Sequence, residues 1–189
     1  MTKKKSYQKT LNEKVTLDGV GLHTGKSVKL TFCPAPEDTG YRFIRTDLTP
    51  AVEIPADVQY VINTDRGTNL EKDGAKIQTS EHVLAALVGM GVDNCFIELD
   101  AAESPIMDGS SKFFVEAIES VGLKTQGKHR DEYIVSELIS YKDEKTGSEI
   151  TLIPSDEFQV TTMVDFESKV LGTQNASLDT ISEFKDNSA

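Results

Sequence analysis

The sequence predicts an α+β protein built as a two-layer sandwich, a sheet with two helices on it, used twice and truncated in the second copy. Three observations carry this expectation. Short alternating or apolar runs separated by glycine and proline turns recur along the chain, as strands do. Two longer segments, near residues 80–89 and 110–121, instead place apolar residues at helical spacing. Finally, Thr24-Gly25-Lys26-Ser27-Val28-Lys29-Leu30-Thr31-Phe32-Cys33-Pro34 is echoed by Thr146-Gly147-Ser148-Glu149-Ile150-Thr151-Leu152-Ile153-Pro154, each a turn, an alternating strand and a proline stop.

In chain order, Gly19 to Gly25 is a glycine-punctuated turn, and Val28 to Phe32 alternates as a half-buried strand does. Pro34 to Gly40 is a loop by composition, Tyr41 to Arg45 resumes a strand, and Pro50 and Pro55 bracket an edge segment. Val58–Ile62, Thr68–Leu70 and Ala75–Gln78 read as short strands, with Asp73-Gly74 a tight turn. Thr79 or Ser80 can cap the first helix, whose stripe is Val83, Leu84, Leu87 and Val88; Gly89 and Gly91 stop it. Asn94–Leu99 reads as a buried strand. The second helix has Ser110 or Ser111 as cap, Phe114, Val115, Ile118 and Val121 as its apolar face, and Gly122 as its end. Residues 125–131 are polar and patternless, which predicts a linker between a first domain over 1–124 and an incomplete second over 132–189. Strand signals return at Tyr133–Ser140, Glu149–Ile153 and Phe158–Val164, and Leu178–Phe184 can begin a helix.

Composition narrows the function. A net charge of −11 over 189 residues, no Trp and 7% aromatics argue against nucleic acid, which needs clustered cations and stacking platforms. The one basic run, Lys3-Lys4-Lys5, sits at the frayed start of the chain. No apolar run reaches the roughly 18–20 residues of a membrane span, and no apolar stretch follows the first lysines as in a signal peptide. Cys33 and Cys95 lie in apolar strands without a CxxC pair, so both read as buried, reduced thiols. The expectation is a soluble, acidic, cytoplasmic protein.

Three histidines, His23, His82 and His129, limit the chemistry. His82 follows Glu81 in the first turn of a helix, so one pocket can receive an imidazole as metal ligand and a carboxylate as base. HExxH is absent, since Ala86 stands where a second ligand would fall, and the same pair can equally be a solvated packing pair. His23 lies in a loop of the kind that carries function on a rigid scaffold, or is merely exposed there. His129 falls in the expected linker and has no assigned role. Asp65 and Arg66 face a cleft or form a surface ion pair, and Pro105-Ile106-Met107-Asp108-Gly109-Ser110 is a specialised loop or simple turn-and-cap chemistry. P-loop, nucleophile-elbow and GxGxxG patterns are absent.

Four segments in order sharpen this picture: Leu11 through the Gly21-Leu22-His23-Thr24-Gly25 turn to Pro34-Ala35-Pro36; Tyr41-Arg42-Phe43-Ile44-Arg45-Thr46-Asp47; Thr79-Ser80-Glu81-His82-Val83-Leu84-Ala85-Ala86-Leu87; and Asp93-Asn94 with Pro105 to Ser111. Together they resemble the UDP-3-O-acyl-N-acetylglucosamine deacetylases, zinc amidases of lipid A (lipopolysaccharide) biosynthesis in Gram-negative bacteria, over residues 7–186. The resemblance implies two sheet-and-helix domains with the active site between them. It assigns His82 to a Zn2+ ligand, Glu81 to the general base that activates water, and His23 to a supporting place in the substrate site. It puts the remaining ligands, an HxxxD pair, beyond residue 189, so this stretch alone is expected to be inactive, with a UDP-linked acylated amino sugar as the substrate of the whole. Some members continue into a hydroxyacyl-carrier-protein dehydratase domain. A non-catalytic binding module on the same scaffold, with Glu81 and His82 as relics, is the alternative.

Overall fold

The computed structural model describes residues 6–166 and 168–187. The chain forms β1 (Tyr7–Leu11), β2 (Val15–Val20), β3 (Ser27–Pro34), β4 (Tyr41–Arg45), β5 (Val52–Pro55), β6 (Val61–Asn63), β7 (Asn69–Lys72), β8 (Ala75–Ile77), α1 (Glu81–Gly89), β9 (Cys95–Leu99), α2 (Lys112–Val121) and β10 (Leu123–His129). These precede β11 (Ile139–Lys142), β12 (Glu149–Leu152), β13 (Val160–Asp165), β14 (Thr173–Leu178) and the short α3 (Phe184–Asn187). The α+β class is as expected. Two compact units divide at Arg130/Asp131.

The first unit is centred on a five-stranded sheet ordered β2-β3-β9-β4-β5, antiparallel except where β4 runs parallel to β9. Alternation explains its one-sided core: Val28, Leu30 and Phe32 of β3 are buried, and Cys95, Ile97 and Leu99 do the same in the central β9. Phe43 and Ile54 complete the layer from β4 and β5. Helix α2 lays Phe114, Val115 and Ile118 into it, with the Phe114 ring edge-on to Phe32 at 6.3 Å between centroids. Helix α1 buries Val83, Ala86 and Leu87. Val88, expected in that stripe, is 46% exposed, and Ala86 takes the inward place, because Ala86 and Leu87 stand three and four positions after Val83 on one face whereas Val88 is five positions on and turns away from it.

A second sheet, β6-β7-β8, stands before α1. Its β7–β8 hairpin turns on Asp73 and Gly74, whose φ values of 51° and 78° are the left-handed pair a two-residue turn requires. Residues 58–62, expected as one strand, divide into a 3-10 turn at Val58–Tyr60, capped by Asp57, and then β6. Arg45, 7% exposed, donates to Asp47 through two nitrogens and to the Lys76 carbonyl at 2.7 Å, tying this sheet to the larger one.

The polar stretch expected as a linker is not one. Residues 123–129 form β10, antiparallel to β1. Its side chains offer no apolar face; backbone pairing and polar contacts hold it instead. Buried Asn94 donates to both Gln8 and Gln126 at 2.8 Å and accepts from the Gly40 amide at 2.9 Å, while Lys128 pairs with Asp38. His129 stacks on Tyr7, with ring centroids 4.3 Å apart.

The second unit, Asp131–Asn187, contains two separate antiparallel hairpins, β11–β12 and β13–β14, followed by a 3-10 turn and α3. The segment echoing β3 is again the second strand of a hairpin, but Tyr133–Leu138 carries no strand; of Leu178–Phe184, expected to begin a helix, Leu178 ends β14 and Ile181–Glu183 forms the 3-10 turn that leads into α3 at Phe184. Apolar side chains on these hairpins, such as Tyr141 and Ile150, are well exposed.

A candidate active site at the start of the first helix

Three short segments converge before α1: the β2–β3 turn, the 64–68 loop between β6 and β7, and residues 78–80. Glu81 opens the helix, where unpaired amides favour a carboxylate. Its Oε2 accepts the Thr68 amide at 2.8 Å, and among the described residues its Oε1 accepts no hydrogen bond. Gly67 lies against this carboxylate: a Cβ there would sit 3.1 Å from Oε1, and its φ of 144° already requires glycine. His82 is half-buried on the next position, and its carbonyl accepts the Ser111 hydroxyl at 3.0 Å, so the two helices are joined at this residue.

The expected capping hydroxyls are used elsewhere. Ser80 sits at the N-cap without capping; its Oγ donates to the Thr68 carbonyl at 3.0 Å. Thr79, at a left-handed φ of 55°, turns its hydroxyl to Glu103. Ser111 caps α2 in position only, since its hydroxyl is the one on His82. Each departure fastens the start of α1 to a neighbouring loop.

His23 reaches the same region. Its Nε2 lies 3.1 Å from the Arg66 carbonyl, two residues before the amide that binds Glu81. The Arg66 backbone is left-handed, at φ 59°. Asp65 and Arg66 are both exposed, and among the described residues no ion pair joins them; it is their carbonyls that engage the site, Arg66 with His23 and Asp65 with Asn69. His129 lies on β10, its ring stacked on Tyr7.

Glu103 is the residue that sequence reasoning missed. It is 1% exposed, and its two oxygens accept from the His23 amide at 2.9 Å, the Thr24 amide at 2.8 Å and the Thr79 hydroxyl at 3.3 Å. Burial raises its pKa, but these donors together outweigh burial and hold the carboxyl below its ordinary value. The Asp108 loop, by contrast, is turn-and-cap chemistry: its carboxylate accepts from the Ser110 hydroxyl and amide. An open, mostly apolar depression of about 390 Å³ beside it, between Val20, Met107 and Phe113, contains none of the expected site residues.

A family model described as UDP-3-O-acyl N-acetylglycosamine deacetylase matches residues 8–188. The chain belongs to that family. Among the deacetylase family's curated members, the bifunctional enzyme LpxC/FabZ of Porphyromonas gingivalis is 46% identical over 179 residues, 95% of this chain and 39% of its own length. The UDP-3-O-acyl-N-acetylglucosamine deacetylase of Hahella chejuensis is 44% identical over 181 residues, covering 96% of this chain and 59% of that protein. That of Myxococcus xanthus is 41% identical over 172 residues, 54% of its length. The chain thus spans little more than half of these deacetylase relatives, and less of the bifunctional ones.

For a metal, the donor chemistry within this chain is partial. An imidazole at His82 beside a carboxylate at Glu81 suits one ligand and one base, but among the described residues no three His, Cys, Asp or Glu side chains form a group that can hold an ion. The cysteines contribute nothing: both are buried and unpaired, and burial foremost pushes Cys33 to about 11 and Cys95 to about 12. Among the described residues no helix is long and apolar enough to cross a membrane.

Proposed function

We propose that this chain supplies the general base and one zinc ligand of a deacetylase acting on the acetamide of UDP-3-O-acyl-N-acetylglucosamine, with Glu81 as base and His82 as ligand. The observation that carries this reading is the state of Glu81: one carboxylate oxygen is fixed by the Thr68 amide while the other has no partner among the described residues, at the start of a helix whose next residue is His82. Family membership supplies the reaction class.

In this reading Glu81 Oε1 takes a proton from water as the water oxygen attacks the acetamide carbonyl carbon. The carbon–nitrogen bond then breaks, acetate leaves, and the proton is available to the departing amine. The Thr68 amide keeps the carboxylate in one rotamer, and the His23 ring borders the site as a substrate-side group. Bound zinc supplies the Lewis acidity that makes water a nucleophile at neutral pH. Catalytic zinc takes about three protein ligands, so two more come from sequence outside residues 1–189, and residues 1–189 alone are inactive. The exposed hairpins of Asp131–Asn187 are, on the same reading, the start of a second sandwich of the same kind. Three of the relatives, bifunctional LpxC/FabZ enzymes, support the alternative that the protein continues into a second enzyme, the dehydratase that some family members carry. The work is placed in the cytoplasm, where a UDP-sugar is available.

The test is turnover and metal content of the full-length protein. Glu81→Ala is expected to lower kcat by about 10²- to 10⁴-fold with zinc retained. His82→Ala is expected to lose zinc and activity together. Wild-type protein that releases no acetate from the UDP-sugar, while folded and metal-loaded, would instead identify a binding module.

A further inference from the structure

Glu103 is buried, ionised and outside the chemistry proposed for Glu81 and His82, yet it joins the segments that carry them. Its Oε1 accepts the His23 amide and the Thr79 hydroxyl, and its Oε2 accepts the Thr24 amide. Its own segment is fastened to residue 78, since the Gln78 amide donates to the Ala102 carbonyl at 2.8 Å and the Ser104 amide to the Gln78 carbonyl at 3.0 Å. A Cβ on Gly21 would collide with Oε2, so the β2–β3 turn closes directly over the carboxylate. A loop of this kind, exposed at Leu22, His23 and Thr24, has no apolar anchor of its own.

We propose that Glu103 is a positioning residue: its carboxylate clamps the β2–β3 turn onto residues 78–80, so that His23 is held against the 66–68 segment whose amide fixes Glu81. The inference rests on the proposed roles of Glu81 and His23. Both carboxylate oxygens must be acceptors, because each faces an N–H. Glutamine keeps the size of the side chain but turns an NH2 donor toward one of those amides, so it should release the clamp without opening a cavity.

The experiment is a double-mutant cycle in the full-length protein, read as deacetylation of the UDP-sugar, with amide hydrogen exchange on the 189-residue chain beside it. Glu103→Gln is expected to lower kcat/KM about 10- to 100-fold, the scale of a displaced site group. In a His23→Ala background the same change should cost less than about threefold, because a residue acting through His23 has nothing left to position. Exchange at the His23 and Thr24 amides should accelerate in Glu103→Gln while Ile97 in β9 stays protected. Equal losses in both backgrounds, or unchanged exchange at His23 and Thr24, overturn the positioning role. Glu81→Ala serves as the separate control: if it leaves turnover intact, the reading of the site fails and Glu103's positioning role with it, whereas a loss at Glu81 with none at Glu103→Gln overturns the inference alone.

Discussion

Gly67 shows how closely the backbone approaches the proposed base. Its left-handed backbone and the 3.1 Å separation between a hypothetical Cβ and Glu81 Oε1 act in the same direction. Gly67→Ala is expected to cost about 1–3 kcal/mol in urea unfolding, the usual cost of such backbone strain, and to reduce turnover as the carboxylate is displaced. At Glu103 the pH dependence has a definite sign. Folding lowers its proton affinity, so the stability it contributes is complete above its ordinary value of 4.5 and is lost as pH falls through the lower folded value. Acid unfolding of Glu103→Gln should therefore lack that component below about pH 4.5 while wild type shows it. The cysteines make a simpler case: with thiols raised to about 11 and about 12 by burial, neither should react with a thiol reagent at neutral pH until urea opens the fold. The helical period of Val83 and Leu87 places Glu81 and His82 in the first turn of α1, but it is the family resemblance, not that period, that nominates them for chemistry. Glu103 is not legible in the sequence, because two of its three donors are backbone amides about eighty positions away, and backbone donors carry no sequence signature.

Elements with an apolar period were legible, and those held by polar contacts were not. Strand β9 and helix α2 follow from Cys95, Ile97 and Leu99 and from Phe114, Val115 and Ile118, because burying one face is what forms them. Strand β10 has no such face; Asn94, Gln8 and Gln126 hold its ribbon to the main sheet through side-chain amides. Asn94→Ala should therefore act on that ribbon first. It leaves the Gly40 amide without its acceptor and the amide groups of Gln8 and Gln126 without their shared donor, at about 1–3 kcal/mol for each buried group left unpaired. Hydrogen exchange should show β10 amides losing protection while β9 keeps its own. The cap hydroxyls were misassigned for a related reason: Ser80, Thr79 and Ser111 have the right chemistry for capping, but tertiary acceptors at Thr68, Glu103 and His82 take their protons.

At the scale of the molecule, the proposed zinc site and the two-unit organisation meet in one measurement. With one imidazole and one carboxylate at the start of α1 and no three-donor group among the described residues, protein comprising residues 1–189 should retain well below one zinc per chain after dialysis. A stoichiometric zinc abolished by His82→Ala would show that the ligands are completed within these residues. The pairing of β1 with β10 has a consequence of another kind. Tyr7 faces His129 across that ribbon, and the Arg130 amide donates to the Ser6 carbonyl at 2.8 Å, so the first unit enters and leaves through the same doorway. A module whose two ends meet can be copied, inserted or spliced beside another without rethreading, and it can also be cut open elsewhere. A permuted gene that bridges Ser6 to Arg130 and begins at the exposed Asp73-Gly74 turn should still yield the same sheet.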